Sequence, residues 1–208
     1  MPPAGNANFA WLQHFIYHLN PTGQAGVVLA KGALTSKTSG EGEMRKALIE
    51  QGNVIDCIVN LPAKLFLNTQ IPAALWFMSR NRNNGKFRNR SNEILFIDAR
   101  NLGHLINRRT KELSHEDIKQ ITDTYHNWRN PNGSYENTPG FCASVSLERV
   151  KELDYVLTPG RYVGLPDDED DFNFVERFSA LKAEFEAQLV EEEKLNLTIT
   201  ENLARVKL

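Results

Sequence analysis

Short apolar runs alternate with turn-rich polar stretches along the first three quarters of this chain, and the period of each run predicts its element. Residues 9–19 repeat at helical spacing. Placed at 100° per residue, Trp11, Phe15, Leu19, Leu12, Ile16 and Phe9 fill an arc of roughly 160°, with Gln13, Tyr17 and His14 opposite. So wide an apolar face requires a large partner surface. Pro21-Thr-Gly23 breaks the helix, and Ala25-Gly-Val-Val-Leu-Ala30 has no polar interruption, which predicts a short, fully buried strand of the parallel-sheet kind. After a polar loop over 35–42 come a helix over 43–50 and a second buried strand, Val54-Ile-Asp-Cys-Ile-Val59. Helix, strand, helix, strand is an α/β signature. Two further strands, 73–78 and 93–98, flank a flexible basic connection, which predicts a hairpin-like antiparallel edge.

Ser114-His-Glu-Asp117 opens a helix, with Ser114 as cap and Asp117 where a capping-box acid belongs; Ile118, Ile121, Thr122 and Tyr125 continue it to near Trp128. Asn130-Pro-Asn-Gly133 is turn chemistry, and residues 155–163 read as a strand-and-turn element. From Phe172 a single helix is expected to run to the C-terminus, carrying Phe174, Phe178, Leu181, Phe185, Leu195, Ile199 and Val206 at 3–4 spacing. At 1.5 Å per residue it reaches roughly 50 Å. The boundary falls at residue 164, dividing a domain of 1–164 from an acidic linker and helix over 165–208.

The loop and strand over 61–80 carry the most specific local chemistry. A Pro-bounded loop presents Phe66 with Asn68, Thr69 and Gln70, and the strand behind it is rich in Leu, Trp, Phe and Met. An aromatic face beside hydrogen-bonding amides is what base recognition requires. An ordinary polar loop ahead of a buried strand has the same local pattern.

With 208 residues and 41% hydrophobic content the chain can bury one sizeable core and an appendage. No run approaches the ~18 apolar residues of a membrane span, and the N-terminus lacks the regions of a signal peptide, so a cytoplasmic location without a membrane partner is expected. Cys57 and Cys142 lie far apart with no Cys-x-x-Cys or His cluster, which predicts two reduced thiols and no metal site. The net charge of -2 hides an asymmetry: residues 1–164 hold 19 Lys+Arg against 14 Asp+Glu, and residues 165–208 hold 5 against 12. A mildly basic body with an acidic tail fits a nucleic-acid face and a separate protein-docking element. Within the body, residues 80–90 place Arg80, Arg82, Lys86, Arg88 and Arg90 in eleven positions without an acid. Such a loop is suited to phosphate contacts or is simply solvated.

Other motifs carry less. His14 and His18 have the i, i+4 spacing of helix-borne metal ligands but lack a third donor. No Gly-rich phosphate cradle of the common kinds occurs. Ser36, Ser39 and Cys142 lack the setting of a nucleophile, and the acids over 167–171 read as a solvated linker.

Six segments in order carry a resemblance: Pro2-Pro-Ala-Gly-Asn-Ala-Asn-Phe-Ala-Trp11, Gly26-Val-Val-Leu-Ala30, Gly40-Glu-Gly-Glu-Met-Arg-Lys-Ala-Leu48, Leu61-Pro through Gln70-Ile-Pro72, Leu95-Phe-Ile-Asp-Ala99 and Leu157-Thr-Pro-Gly-Arg-Tyr-Val163. Together they resemble the C-terminal part of the methylation (M) subunit of type I restriction–modification systems, adenine-specific DNA methyltransferases. The resemblance implies the later half of a Rossmann-like, S-adenosylmethionine-dependent methyltransferase sheet followed by a long helix. It implies DNA, the specificity (S) subunit, a second M subunit and the restriction (R) subunit as partners. It also implies Phe66 against a flipped adenine, with Asn68, Thr69 and Gln70 in the same loop, and Asn6 and Asn8 beside the cofactor. In the family's Asn-Pro-Pro-Phe tetrad the Asn and the aromatic do the chemistry; here Met1-Pro-Pro-Ala4 has neither. The family's cofactor loop is also missing, so a fragment without catalytic residues of its own, inactive alone, is expected, and its apolar helix and first strand are expected to lack neighbours.

Overall fold

Residues 7–165 and 174–204 are described in the computed structural model of this chain, which divides into two units, Met1–Asp167 and Asp168–Leu208. In chain order the first unit carries α1 (Asn8–His18), β1 (Gln24–Ala30), α2 (Glu41–Glu50), β2 (Ile55–Asn60), β3 (Ala73–Ser79) and β4 (Glu93–Asp98). A small hairpin, β5 (His104–Leu105) and β6 (Lys111–Glu112), precedes α3 (His115–Arg129), β7 (Cys142–Ser146) and α4 (Leu147–Glu152). The second unit is α5 (Phe174–Ala204).

β2 is buried at all six positions and organises a five-stranded sheet of order β1-β3-β2-β4-β7. β3 runs antiparallel to both β1 and β2, β4 lies parallel to β2, and β7 closes the far side antiparallel to β4. The α/β class stands, in a mixed sheet. Alternate side chains feed two cores. Trp76, Met78, Ile94, Phe96 and Val145 point to the side where Phe9 and Leu12 of α1 and Leu48 and Ile49 of α2 pack. Leu75, Phe77, Leu95, Ile97 and Cys142 point to the other, where Trp128 and Tyr125 of α3 cover them. Phe9 meets Trp76 edge-on, with ring centroids 6.1 Å apart, and Phe77 stacks on Tyr125 at 5.5 Å.

Four sequence expectations are corrected. β1 is an edge strand, antiparallel to its neighbour and partly buried on one face only, with Gly26, Val28 and Ala30 exposed on the other; Val28 is 52% exposed. β3 and β4 form no hairpin: β2 sits between them, and their connection crosses its end. Residues 155–163 hold no strand, since Tyr155 has a positive φ of 53° and Pro159 opens a 3-10 turn without an N–H to donate. The missed strand is β7, which ends on Ser146, the N-cap of α4. Of the apolar arc on α1, Phe9 and Leu12 are buried but Trp11 and Phe15 are exposed.

The α3 cap is as expected. Ser114 Oγ accepts from Asp117 N at 3.1 Å, and Asp117 Oδ2 accepts from Ser114 N at 2.8 Å. Ser114→Ala is expected to cost about 1 kcal/mol in urea denaturation. The N–H of Ser114 holds the Asp117 carboxyl below its ordinary value of 3.8. A depressed carboxyl stabilises fully above its unfolded value and loses that contribution as pH falls through the lower folded one. Wild type and Asp117→Asn should therefore differ at neutral pH and converge below pH 3.8; a constant gap would contradict the cap's ionic character.

The α5 helix of 31 residues carries Phe178, Leu181, Phe185, Leu189, Leu195, Ile199 and Leu203 exposed. Phe172 and Val206 lie outside the described residues. No helix among the described residues is long and apolar enough to cross a membrane.

Candidate functional site

β1, β2 and β4 run in one direction and end together at Ala30, Asn60 and Asp98, since Ala30 pairs with Ala73, Asn60 with Ala74, and Asn60 with Asp98. The carboxyl ends of parallel strands are where open α/β sheets place ligands, because the connections leaving them splay apart. Here the departing segments are 61–72 after β2 and 99–110, which carries the β5–β6 hairpin, after β4.

The 61–72 loop turns back on itself through a bridge between Phe66 and Thr69, and Thr69 Oγ1 accepts from Ile71 N at 3.1 Å. Phe66 is held over the end of β1, 40% exposed. It and Thr69 line an apolar cleft of about 260 Å³ with Val28, Leu29, Ile71 and Pro72. Asn68 and Gln70 are exposed on the same loop, outside that lining. Of the four loop residues singled out by sequence, the fold brings two together around an open apolar slot. Asn8 is half-buried in the first turn of α1, and Asn6 lies outside the described residues.

Behind the slot the strand ends are polar. Asn60 Nδ2 donates to Asp98 Oδ1 at 3.4 Å, and the buried Asp98 carboxylate accepts from Arg100 at 2.8 Å (Nε to Oδ1) and 2.7 Å (Nη2 to Oδ2). This two-point contact raises the Arg100 pKa further. Gly160 sits close against this pair: a Cβ there would lie 2.8 Å from Arg100 Nη2 and 3.0 Å from Asp98 Oδ2, so a side chain would push the guanidinium aside. Neither Asn60 nor Asp98 stands out in the sequence, since each closes an apolar run in the manner of an ordinary strand end.

The basic loop lies elsewhere. Residues 80–92 connect Ser79, which pairs with Gln24 at the start of β1, to Glu93 at the start of β4, so the loop sits at the opposite edge, about 20 Å from Phe66 at strand rise. Its cations are also engaged. Arg82 and Arg90 are buried at 3% and 0% exposure, and both donate to Asp56 Oδ1 at 3.1 Å. Tyr125 of α3 donates to Asp56 Oδ2 at 2.9 Å. Arg88 pairs with Glu93 and lies over the Trp128 ring at 4.8 Å, and Arg80 Nη1 donates to Ile16 O at 2.7 Å at the end of α1. Lys86 alone of the five projects as an exposed ammonium, over Phe87. The expectation of phosphate contacts by Arg82 and Arg90 is thereby corrected: a buried carboxylate in β2 demanded counter-charges, and the loop supplies them. An acid inside the apolar run 54–59 was the available signal.

Burial and Asp56 push the Tyr125 hydroxyl well above its ordinary range, and burial lowers the Arg82 pKa. Cys57 and Cys142 are both free and buried, and burial pushes the Cys57 thiol far up, which makes it inert. His14 and His18 are exposed with rings 4.4 Å apart, and no group of three metal-ligating side chains occurs among the described residues.

The family profile described as N-6 DNA Methylase matches residues 1–171. The HindI type I restriction enzyme methylase subunit of Haemophilus influenzae is 46% identical over 203 residues, 97% of this chain and 44% of that protein. The MjaIX methylase subunit of Methanocaldococcus jannaschii is 39% identical over 204 residues, 98% of this chain and 36% of that protein. The chain thus spans less than half the length of these relatives. A crystal structure of a type I restriction–modification methyltransferase subunit from Streptococcus thermophilus superposes with a TM-score of 0.66 at 32% identity, over 78% of this chain and 31% of that one. The EcoKI M protein shares the fold at a TM-score of 0.59 and 16% identity, over 97% and 45% of the two chains.

Proposed function

The chain belongs to the N-6 DNA methylase family, and on that premise we propose that it supplies the target-base side of an adenine-specific DNA methyltransferase of the type I restriction–modification kind. The observation that carries this reading is the Phe66 slot. An exposed ring, backed by a bridge-closed loop and an apolar cleft, stands at the carboxyl edge of a methyltransferase-type sheet. Extrusion of a base from the duplex costs a few kcal/mol, and stacking on an aromatic returns about 1–3 kcal/mol. Thr69 stays with the loop, its hydroxyl engaged by Ile71 N, while Asn68 and Gln70, exposed on the same loop, are the amides this reading assigns to the base edge or the strand beside it.

S-adenosylmethionine is the methyl donor this reading requires. The described residues do not fit it as a complete site: the cleft lining is apolar, with no carboxylate to hold an ammonium or ribose, and Asn8 alone stands for the pair with Asn6. No chemical step is therefore assigned to this chain, and methyl transfer to DNA by the chain alone is expected to stay at background. The exposed apolar positions of α5 support a docking role toward a specificity subunit, with DNA, a second M subunit and a restriction subunit as the further members of the assembly.

The base-binding reading is tested with 2-aminopurine flanked by abasic positions in single-stranded DNA, where it starts unstacked and emissive. Seating on Phe66 is expected to quench it as the chain is added. An unchanged emission at saturating chain, or methyl transfer by the chain alone, would contradict the proposal.

A further inference from the structure

Resting on that reading, we propose that the β5–β6 hairpin holds the DNA backbone beside the target base, with Arg108 and Arg109 at its tip as the phosphate contacts. The segment leaves β4 at the same edge as Phe66 and is tied to the Phe66 loop directly. Lys111 N donates to Lys64 O at 2.8 Å, and Lys64 Nζ donates to Arg108 O at 3.4 Å. Leu102 and Leu113 at the hairpin base pack on the same core as Leu65 of the loop. Loop and hairpin are therefore one surface.

The tip is built to be stiff. Ile106 N donates to Thr110 O at 3.1 Å, and Asn107 Oδ1 accepts from Arg109 N at 2.8 Å, which closes a turn with both arginines outward. Gly103 enters the hairpin at a φ of 81°, where a Cβ would lie 2.8 Å from Glu112 O. Residues 99–111 contain four Lys and Arg and no acid. Within them Arg100 is committed to Asp98 and Lys111 Nζ to Leu102 O, whereas the guanidinium groups of Arg108 and Arg109 have no hydrogen-bond or ion-pair partner among the described residues. Exposed Leu105 and Ile106 flank them and suit sugar faces. The contrast with residues 80–90 decides the assignment. There the arginines are spent on Asp56, Glu93 and helix carbonyls at the wrong edge; here two are unspent at the right one.

The test is the salt dependence of binding to a labelled duplex of about two turns, read by fluorescence anisotropy. R108Q/R109Q is expected to reduce the slope of log K against log salt by about 2, since each phosphate contact contributes about 0.9. The paired control K119Q/K151Q, which removes two exposed cations elsewhere, should keep the wild-type slope, as should Phe66→Ala. All variants should keep the wild-type melting midpoint, the changed tips being exposed. Equal slopes for wild type and R108Q/R109Q, as expected if the hairpin serves a protein partner, would overturn the proposal, and so would the absence of salt-dependent binding by wild type. An unchanged slope with 2-aminopurine quenching intact removes the hairpin and leaves the base-site reading; lost quenching with the slope change intact does the reverse.

Discussion

Asp56→Ala is expected to destabilise the first unit by about 3–5 kcal/mol, against a typical domain stability of about 5–15 kcal/mol. Asp56 is completely buried, and its two oxygens accept from Arg82, Arg90 and Tyr125. Strand pairing slips between Ile55 and Cys57, which lets Ile55 and Ile58 serve one core, Cys57 and Val59 the other, and leaves Asp56 at the irregularity. Alanine there strands two buried guanidinium groups. Arg82 retains Asn53 Oδ1 at 2.9 Å and the Glu93 carbonyl, and Arg90 retains Arg88 O at 2.9 Å, so both keep neutral partners but lose their counter-charge. Urea denaturation of Asp56→Ala and Asp56→Asn separates the effects, because asparagine restores hydrogen bonding without charge and should fall between wild type and alanine. A loss below about 1 kcal/mol for alanine would mean that the loop is only a surface ion pair.

Phe66→Ala is expected to act in the opposite manner, with a large effect on binding and little on stability. The ring is 40% exposed, and its loop is closed by a backbone bridge to Thr69 and by the Thr69 hydroxyl, both of which alanine at 66 keeps. Stacking of about 1–3 kcal/mol per base corresponds to a loss of roughly tenfold in affinity for an extrahelical adenine, while the melting midpoint should shift little. Phe66→Trp should retain the preference, since a larger ring still offers a face.

Most of the helices and strands were legible from periodicity, and the capping box at Ser114 was legible to the residue. The order of the strands was not. Whether β3 pairs with β4 or slots between β1 and β2 depends on which edge of β2 each strand finds, and nothing local in residues 73–98 encodes that choice. The same topology separates Phe66 from residues 80–90, so the candidate base-binding loop and the candidate phosphate-binding loop, neighbours in sequence, stand at opposite ends of the sheet. Charge density in a window cannot distinguish arginines that neutralise a buried acid from arginines that face solvent. Asp56 within an apolar run carried that information. The β5–β6 hairpin carries no sequence signal for the converse reason: its strands are two residues each, below any periodicity, and its position follows only from where β4 ends.

The central claim is that Phe66 offers a stacking face to an adenine out of the helix. The most direct measurement is the ratio of affinities for single-stranded DNA carrying adenine or an abasic residue at one position, in wild type and Phe66→Ala side by side. A ratio near ten in wild type that collapses to one in Phe66→Ala, with unchanged melting, is predicted. A ratio of one in wild type, or an equal ratio in both, would contradict it.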